Sequence, residues 1–486
     1  MRTRTREAGY SIFSQESHME RERNRIRKAA TLADVYDALR IKPLAENELE
    51  EFYVAALNDL RGGDIVSRLA RNLERAHGGA FHKSLLMGHA GVGKSTELTR
   101  LIQKVEPKFR AVRLNATLDI NQVAFHPFDF VLLMMAEVFE KTVKPKSEGG
   151  EGLELSENLL DDIWDWYSSN TETETSRFET GSHAEGGIGV PGDSLWAKTL
   201  GIFGRIRGEI KYAGGREEKT IQYRLATLSD LISLANRLLD AATDALRKAT
   251  GREWLFIWED FEKPGIPPEK IERLFLTYAN VLLELRTHMI CTIPVSLGYA
   301  KSAELRFQQD VIPDTPIFDK LHQPASAGRS ALEAIVSARL SPDLFEADQM
   351  TRLIVASGGN LRDLFVLIAD AADYAQDAER QRISAADVGK SVNKMRAEYE
   401  RRLGEDPYDK EKIPYEKKAE RLMRIYNRDE DAKIPDAALY SLLRARAVQE
   451  FNGERWFGVH PLVVDILYRQ GKITAEENGV VSGGTQ

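Results

Sequence analysis

The chain has one cysteine, Cys291, in 486 residues. No disulfide can form within it, which suits a reducing compartment. Cys291 lies in the apolar run His288–Ile293 and reads as a small core residue rather than a reactive thiol. The nine histidines show no metal spacing of the His-Glu-x-x-His kind, and no nuclease or protease centre is evident. Long apolar runs are missing too: a stretch such as Val131–Ala136 is far too short to cross a bilayer. The first 28 residues are polar and basic, without the apolar stretch of a secretory signal. A cytoplasmic location without a membrane partner is expected. Nor does positive charge prevail. The formal net charge is −8, so any nucleic-acid contact must come from a local patch.

What is present is ordinary globular composition, 29% charged and 42% apolar, at a length that suggests two to four domains. Residues 1–30 read as a flexible basic tail and 31–80 as a helical segment. The pattern then changes. Ser84–Met87 is a short apolar run ending at glycine, and Phe109–Leu114, Trp254–Trp258 and His288–Ile293 are similar runs, with Pro316–Phe318 a candidate fifth. Helical periodicity fills the intervals, over 94–105, 128–141, 216–249 and 269–285. Strands alternating with helices predict an α/β fold with a doubly wound parallel sheet over 81–325. Within it, residues 145–195 shift towards Ser, Thr, Glu and Gly and read as a mobile insertion with a helix at 157–167. Residues 326–404 read as helical. A unit over 415–475 has two helices and two strand-like runs, Val448–Phe451 and Arg455–His460, about an Asn452-Gly453 turn. Residues 476–486 form a tail.

Gly88-His89-Ala90-Gly91-Val92-Gly93-Lys94-Ser95 fits the eight-residue phosphate loop, between a strand and a helix. Glycines let backbone N–H groups close on phosphate oxygens, and the following helix aims its positive end at the same place. Lys94 supplies a charge to the outer phosphates and Ser95, with Thr96 beside it, a hydroxyl for Mg²⁺. ATP with Mg²⁺ is therefore the expected ligand pair. Hydrolysis needs a carboxylate at a strand end. Glu259-Asp260 follows Trp254–Trp258 and supplies it: Glu259 to help hold Mg²⁺, Asp260 to polarise water, with Glu262 a third candidate. Thr292 or Ser296, at the end of a neighbouring strand, can reach a γ-phosphate, although threonine is also simply a good strand former. Asn360 can cap a helix beginning at 361. Arg362 then lies in a first turn that disfavours positive charge, which hints at a phosphate within its reach.

Gly88–Ser95, Trp254–Asp260 and Gly358–Arg362, in this order, resemble the AAA-type ATPases of origin-recognition-like layout and the related bacterial signalling (STAND-type) ATPases. The resemblance implies a P-loop NTPase core, a helical lid over 326–404 and a C-terminal winged-helix-like domain, and it makes Arg362 the lid arginine that senses nucleotide. This chain departs from the common pattern in its Glu-Asp order and in the 145–195 insertion. Arg306, Arg329 and Arg339 are candidates by position for an arginine acting on a neighbouring subunit. Arg444, Arg446, Arg455 and Trp456 are what the last unit offers to DNA, diluted by acidic neighbours. The leading expectation is an ATP-dependent switch in bacterial signalling or antiphage defence, acting through a protein partner or effector and as a homo-oligomer. The alternative is a DNA-acting ATPase of the replication-initiator or transposition-regulator kind.

Overall fold

The computed structural model describes residues 26–76, 79–169, 195–212, 218–263, 265–301, 304–405, 412–451 and 456–474. The tail 1–25, the glycine-rich run 181–192, the Asn452-Gly453 turn with Arg455, and the tail 476–486 lie outside them.

Five parallel strands form one sheet in the order β2-β3-β4-β1-β5: β1 Lys83–Met87, β2 Phe109–Asn115, β3 Glu253–Glu259, β4 His288–Ile293 and β5 Gln308–Val311. All pairings are parallel, as crossover helices require. The fifth strand is therefore not Pro316–Phe318, where only a single bridge to Pro324 forms. Proline cannot donate to a ladder, and β5 is polar in its first three residues, so apolarity pointed to the wrong segment.

Side chains alternate across the sheet. Leu85, Trp254, Phe256, Trp258, Met289 and Cys291 enter the larger core, under the helices Pro127–Val143 and Leu228–Thr250. Leu86, Leu255, Ile257 and Ile290 enter the opposite core, under Ile65–Arg75 and Lys94–Val105. Each such side chain, fully buried, contributes roughly 1.5–3 kcal/mol. The helix Glu157–Ser169 also belongs to the larger core, with Leu159, Leu160 and Ile163 buried. The described part of the 145–195 segment is thus packed structure, because these apolar residues share one helical face within a polar composition. A helix not anticipated, Leu195–Lys211, buries Ile202, Phe203, Ile206 and Ile210 there as well.

Beyond the sheet lie the helices Ser326–Arg339, Gln349–Ala356, Leu361–Asp377 and Ala385–Arg402. They share one core with the last unit, whose order is helix Tyr415–Tyr426, helix Ala437–Arg444, the antiparallel pair β6 Val448–Phe451 and β7 Trp456–Val459, and helix Pro461–Arg469. The fold is a P-loop α/β core followed by a helical domain that shares its core with the last unit. Among the described residues no helix is long and apolar enough to cross a membrane.

Candidate functional site

β1 stops at Met87 and the chain turns through the glycine loop into the helix Lys94–Val105. Gly93 caps that helix in the left-handed region, at φ 99°. Gly91 is also left-handed, and a Cβ there would lie 2.5 Å from both Arg362 Cβ and Asn360 Oδ1. The loop thus needs glycine for its own turn and for the close approach of the next domain. Lys94 is only 4% exposed. Its ammonium donates to the carbonyls of Gly88 at 2.8 Å and His89 at 3.0 Å, and pairs with Glu262 at 2.9 Å.

The carboxylates are set by the end of β3. Trp258 stacks on Phe130 with ring centroids 4.1 Å apart, and Phe261 lies 5.9 Å from Trp258, so apolar anchors flank the acidic pair. Alternation turns Glu259 to the face of the phosphate-loop helix, where it is paired with Arg113 of β2. Asp260 then adopts a left-handed φ of 73°. It accepts from Lys263 at 2.6 Å and from the Asn115 amide. Thr292 of β4 ties the turn together: its hydroxyl accepts the Asp260 N–H at 2.9 Å and donates to Glu262 at 2.7 Å. Burial works to raise the Glu262 carboxyl, but the Lys94 ammonium and these hydrogen bonds hold it below the usual range. Ser296 does not line the cavity around Lys94.

The helical domain meets the loop through Asn360. Its Oδ1 caps Leu361–Asp377 by accepting from the N–H groups of Arg362 and Asp363, and its amide donates to the Ala90 carbonyl at 3.1 Å and to Asp314 at 3.0 Å. Arg362 lines the cavity. Burial, and then the like charge of Arg446, push its guanidinium below its ordinary value, and its Nε has no hydrogen-bond partner among the described residues. Arg446 is not at a DNA-facing surface. It donates to the Ala90 carbonyl at 3.3 Å and pairs with Asp363 at 3.0 Å. Burial opposes its charge, yet Tyr399, Asp363 and Asp314 raise its basicity further. Gln449 donates to the Gly358 carbonyl at 2.9 Å, and His460 lies 3.2 Å from the Ser357 carbonyl. The last unit therefore holds the Ser357–Asn360 turn against the phosphate loop.

Around Lys94 lies a cavity of about 330 Å³. The phosphate loop, Ser95, Thr96, Glu259, Asp260 and Glu262 form one side, and Pro43, Leu44, Tyr53, Ile335, Arg339 and Phe365 another. Sequence reasoning singled out the loop, both carboxylates, Thr292 and Arg362, and all lie at or beside this cavity. Thr292 stands behind Glu262, and His89 is buried 3.9 Å from Asp314. Missed were Arg113, Asn115, Arg446 and the 40–61 segment. Arg113 carried a signal, since a cation near the end of a strand beside the acidic one breaks the apolar pattern. Arg339 is placed in this chain's own cavity over the Phe365 ring, 4.7 Å from its centroid, rather than on an outer face.

No group of three or more His, Cys, Asp or Glu side chains forms a metal cluster among the described residues. The donors present, the hydroxyls of Ser95 and Thr96 and several carboxylates beside a phosphate loop, are hard oxygens suited to Mg²⁺, which takes few protein ligands and keeps phosphate and water.

No protein-family model matches the chain, and no curated protein matches it. Solved structures are similar in fold. They include the Aeropyrum pernix ORC1 protein in complex with DNA, at 13% identity over 84% of this chain and 91% of that one, TM-score 0.35. The Aeropyrum pernix ORC2 protein in its ADPNP–ADP complexes has 14% identity over 84% and 94%, TM-score 0.34. Cdc6p from Pyrobaculum aerophilum has 12% identity over 90% and 98%, TM-score 0.32. At such scores the functional argument rests on the site itself.

Proposed function

We propose that the chain is an ATPase that binds ATP with Mg²⁺ in the loop Gly88–Ser95. Lys94 carries this reading: a buried ammonium, in a glycine loop at a strand end, held only by groups that phosphate oxygens can replace. Lys94 moves from Glu262 to the outer phosphates, and backbone N–H groups at the start of Lys94–Val105 close on the inner ones. Ser95 and Glu259 would hold Mg²⁺, which supplies charge neutralisation at the phosphates. Arg362, inside the cavity with an unused donor, reaches towards the nucleotide and senses its state.

In hydrolysis, water attacks the γ-phosphorus and the bond to the β–γ bridging oxygen breaks. The water's proton passes to a carboxylate, leaving ADP and phosphate. Asp260 keeps Lys263 and Asn115 as partners, whereas Glu262 loses its Lys94 partner once that ammonium turns to the phosphates. We therefore assign the water-polarising role to Glu262, in place of Asp260. Because Asn360 and Arg446 both grip Ala90, nucleotide occupancy changes how the helical domain and the last unit sit on the core.

That motion acts on DNA or on a partner protein, and turnover assays separate the two. Arg446, engaged by Ala90 and Asp363, is not available to a DNA face. Calorimetry with ATP on wild type and Lys94→Ala tests the core of the reading: binding should be lost in the variant, and equal binding would end it. Glu262→Gln should bind ATP yet hydrolyse it on the order of 10²-fold more slowly. Turnover stimulated by duplex DNA, falling steeply with salt, supports the DNA-acting setting. Turnover indifferent to DNA but altered by a protein supports the switch reading.

A further inference from the structure

Three carboxylates line the phosphate end of the cavity, and each has its own cation: Glu262 has Lys94, Asp260 has Lys263 and Glu259 has Arg113. Lys94 is the loop lysine, and Lys263 follows Asp260 by three residues. Arg113 is different. It comes from β2, across the β2–β3 pairing, and every nitrogen of its guanidinium is engaged. Nε donates to Glu259, Nη1 to the Thr99 hydroxyl at 3.0 Å, and Nη2 to the Ser95 carbonyl at 3.0 Å. It therefore bridges the residue that offers a hydroxyl to the metal and the carboxylate expected to help hold it. Glu259 is buried while the Arg113 side chain is 36% exposed, so water reaches the guanidinium and screens the pair in part.

We propose that Arg113 is a tethered cation of the metal position: it neutralises Glu259 in the nucleotide-free chain and competes with Mg²⁺ for that carboxylate. The inference rests on the nucleotide reading above. A divalent ion on Glu259 would meet the guanidinium's charge across one carboxylate, so the two cations compete for it. The alternation of β2 turns Arg113 towards the phosphate-loop helix together with Phe109 and Ala111, so it swings away from Glu259 without leaving that face. With Arg113 in place, nucleotide binding is partly independent of metal. The divalent ion gains less from the site than hard oxygen ligands alone would give it. Arg113 acts as a positioning residue, through Glu259.

The test is the metal–nucleotide coupling, read without turnover. ADP is titrated onto the full chain in EDTA and again in saturating Mn²⁺, and the ratio of the two dissociation constants is compared between variants. Arg113→Gln should raise the ratio on the order of ten-fold, a usual size for coupling between sites. Arg113→Lys, which keeps the charge, should stay within about two-fold of wild type. Thr99→Val removes one tether of the guanidinium and leaves Glu259 intact. It should raise the ratio by about two- to three-fold, and it keeps the test decisive if Arg113→Gln does not fold. An unchanged or lower ratio in a folded Arg113→Gln, or an unchanged ratio in Thr99→Val, overturns the proposal. A purely structural Arg113 would lower thermal stability and leave the ratio alone. If wild type binds ADP under neither condition, the nucleotide reading has failed and this proposal with it. That result is separate from one in which ADP binds normally and only the ratio fails to move.

Discussion

Replacing Arg446 by methionine should loosen the last unit from the phosphate loop. The side chain is 15% exposed and its partner Asp363 only 5%, so the pair is largely shielded from water. Removing one member of a buried pair leaves an uncompensated charge and costs about 3–5 kcal/mol. Two features place this case at the lower end. Asp363 keeps the Tyr399 hydroxyl, which donates to it at 2.7 Å. It also lies in the first turn of Leu361–Asp377, where the helix end favours negative charge. The bond to the Ala90 carbonyl is lost as well, which adds about 1 kcal/mol. A cost of roughly 4 kcal/mol corresponds to on the order of a thousand-fold shift in the opening equilibrium of this unit. Hydrogen exchange over residues 437–469 reads that equilibrium directly, and protection should fall by about that factor while the strands β1, β3 and β4 stay protected. Adding Asp363→Asn should restore much of the loss, since the orphaned charge is then gone. A change below about five-fold in Arg446→Met, or a double variant worse than either single one, would refute the buried-pair argument.

A Gly91→Ala chain must accommodate a Cβ 2.5 Å from Asn360 Oδ1 and Arg362 Cβ at a φ of 95°. It should melt at lower temperature and show the helical domain detached in limited proteolysis; full stability would mean that the loop and Asn360 are not in register. The pH profile follows from two buried imidazoles. Burial lowers His460 to about 3, with Arg446 adding to it, and burial with His288 lowers His82 to about 4, against an ordinary 6.5. In both cases the unfolded chain binds the proton more readily, so stability is full above pH 6.5. It declines as pH falls from there towards 3 for His460 and 4 for His82, by up to about 1.4 kcal/mol per unit for each. Urea midpoints at pH 7.5 and 5.5 should differ in that direction, and His460→Gln should flatten the slope; a midpoint that rises on acidification contradicts the assignment.

The phosphate loop was legible because its chemistry admits few alternatives. Glycine, lysine and serine at fixed spacing, after an apolar run and before a helical one, have one common use. The strands β1, β3 and β4 were legible because strands buried on both faces are almost uniformly apolar, and β2, at an edge, through Phe109, Val112 and Leu114. β5 was not, because Gln308, Gln309 and Asp310 pair only on one side and face an edge. The helix at 157–167 was legible, but composition made its surroundings look mobile, although Leu159, Leu160 and Ile163 are spaced to share one helical face and are buried. The pairings Arg113–Glu259 and Arg446–Asp363 join residues far apart in the chain, 146 and 83 positions, and no local pattern announces them. Arg446 in particular looked like a surface cation beside Arg444. Only the fold shows that a left-handed turn at φ 58° sends it inward.

The charges at the site carry one more consequence. Glu259, Asp260 and Glu262 are balanced by Arg113, Lys263 and Lys94 before any ligand arrives. A nucleotide triphosphate brings negative charge, and its metal brings positive charge. The cheapest way to admit both is to exchange partners rather than add charge to a buried place. On the proposed reading Lys94 leaves Glu262 for phosphate, and Arg113 yields Glu259 to the metal. Glu262 would then be freed only when phosphate draws Lys94 away, and become available to polarise water only after Lys94 has committed to the triphosphate. On this argument an empty site holds no free base, and Asn360, Arg362 and Arg446, packed on the same loop, register the exchange at the helical domain and the last unit.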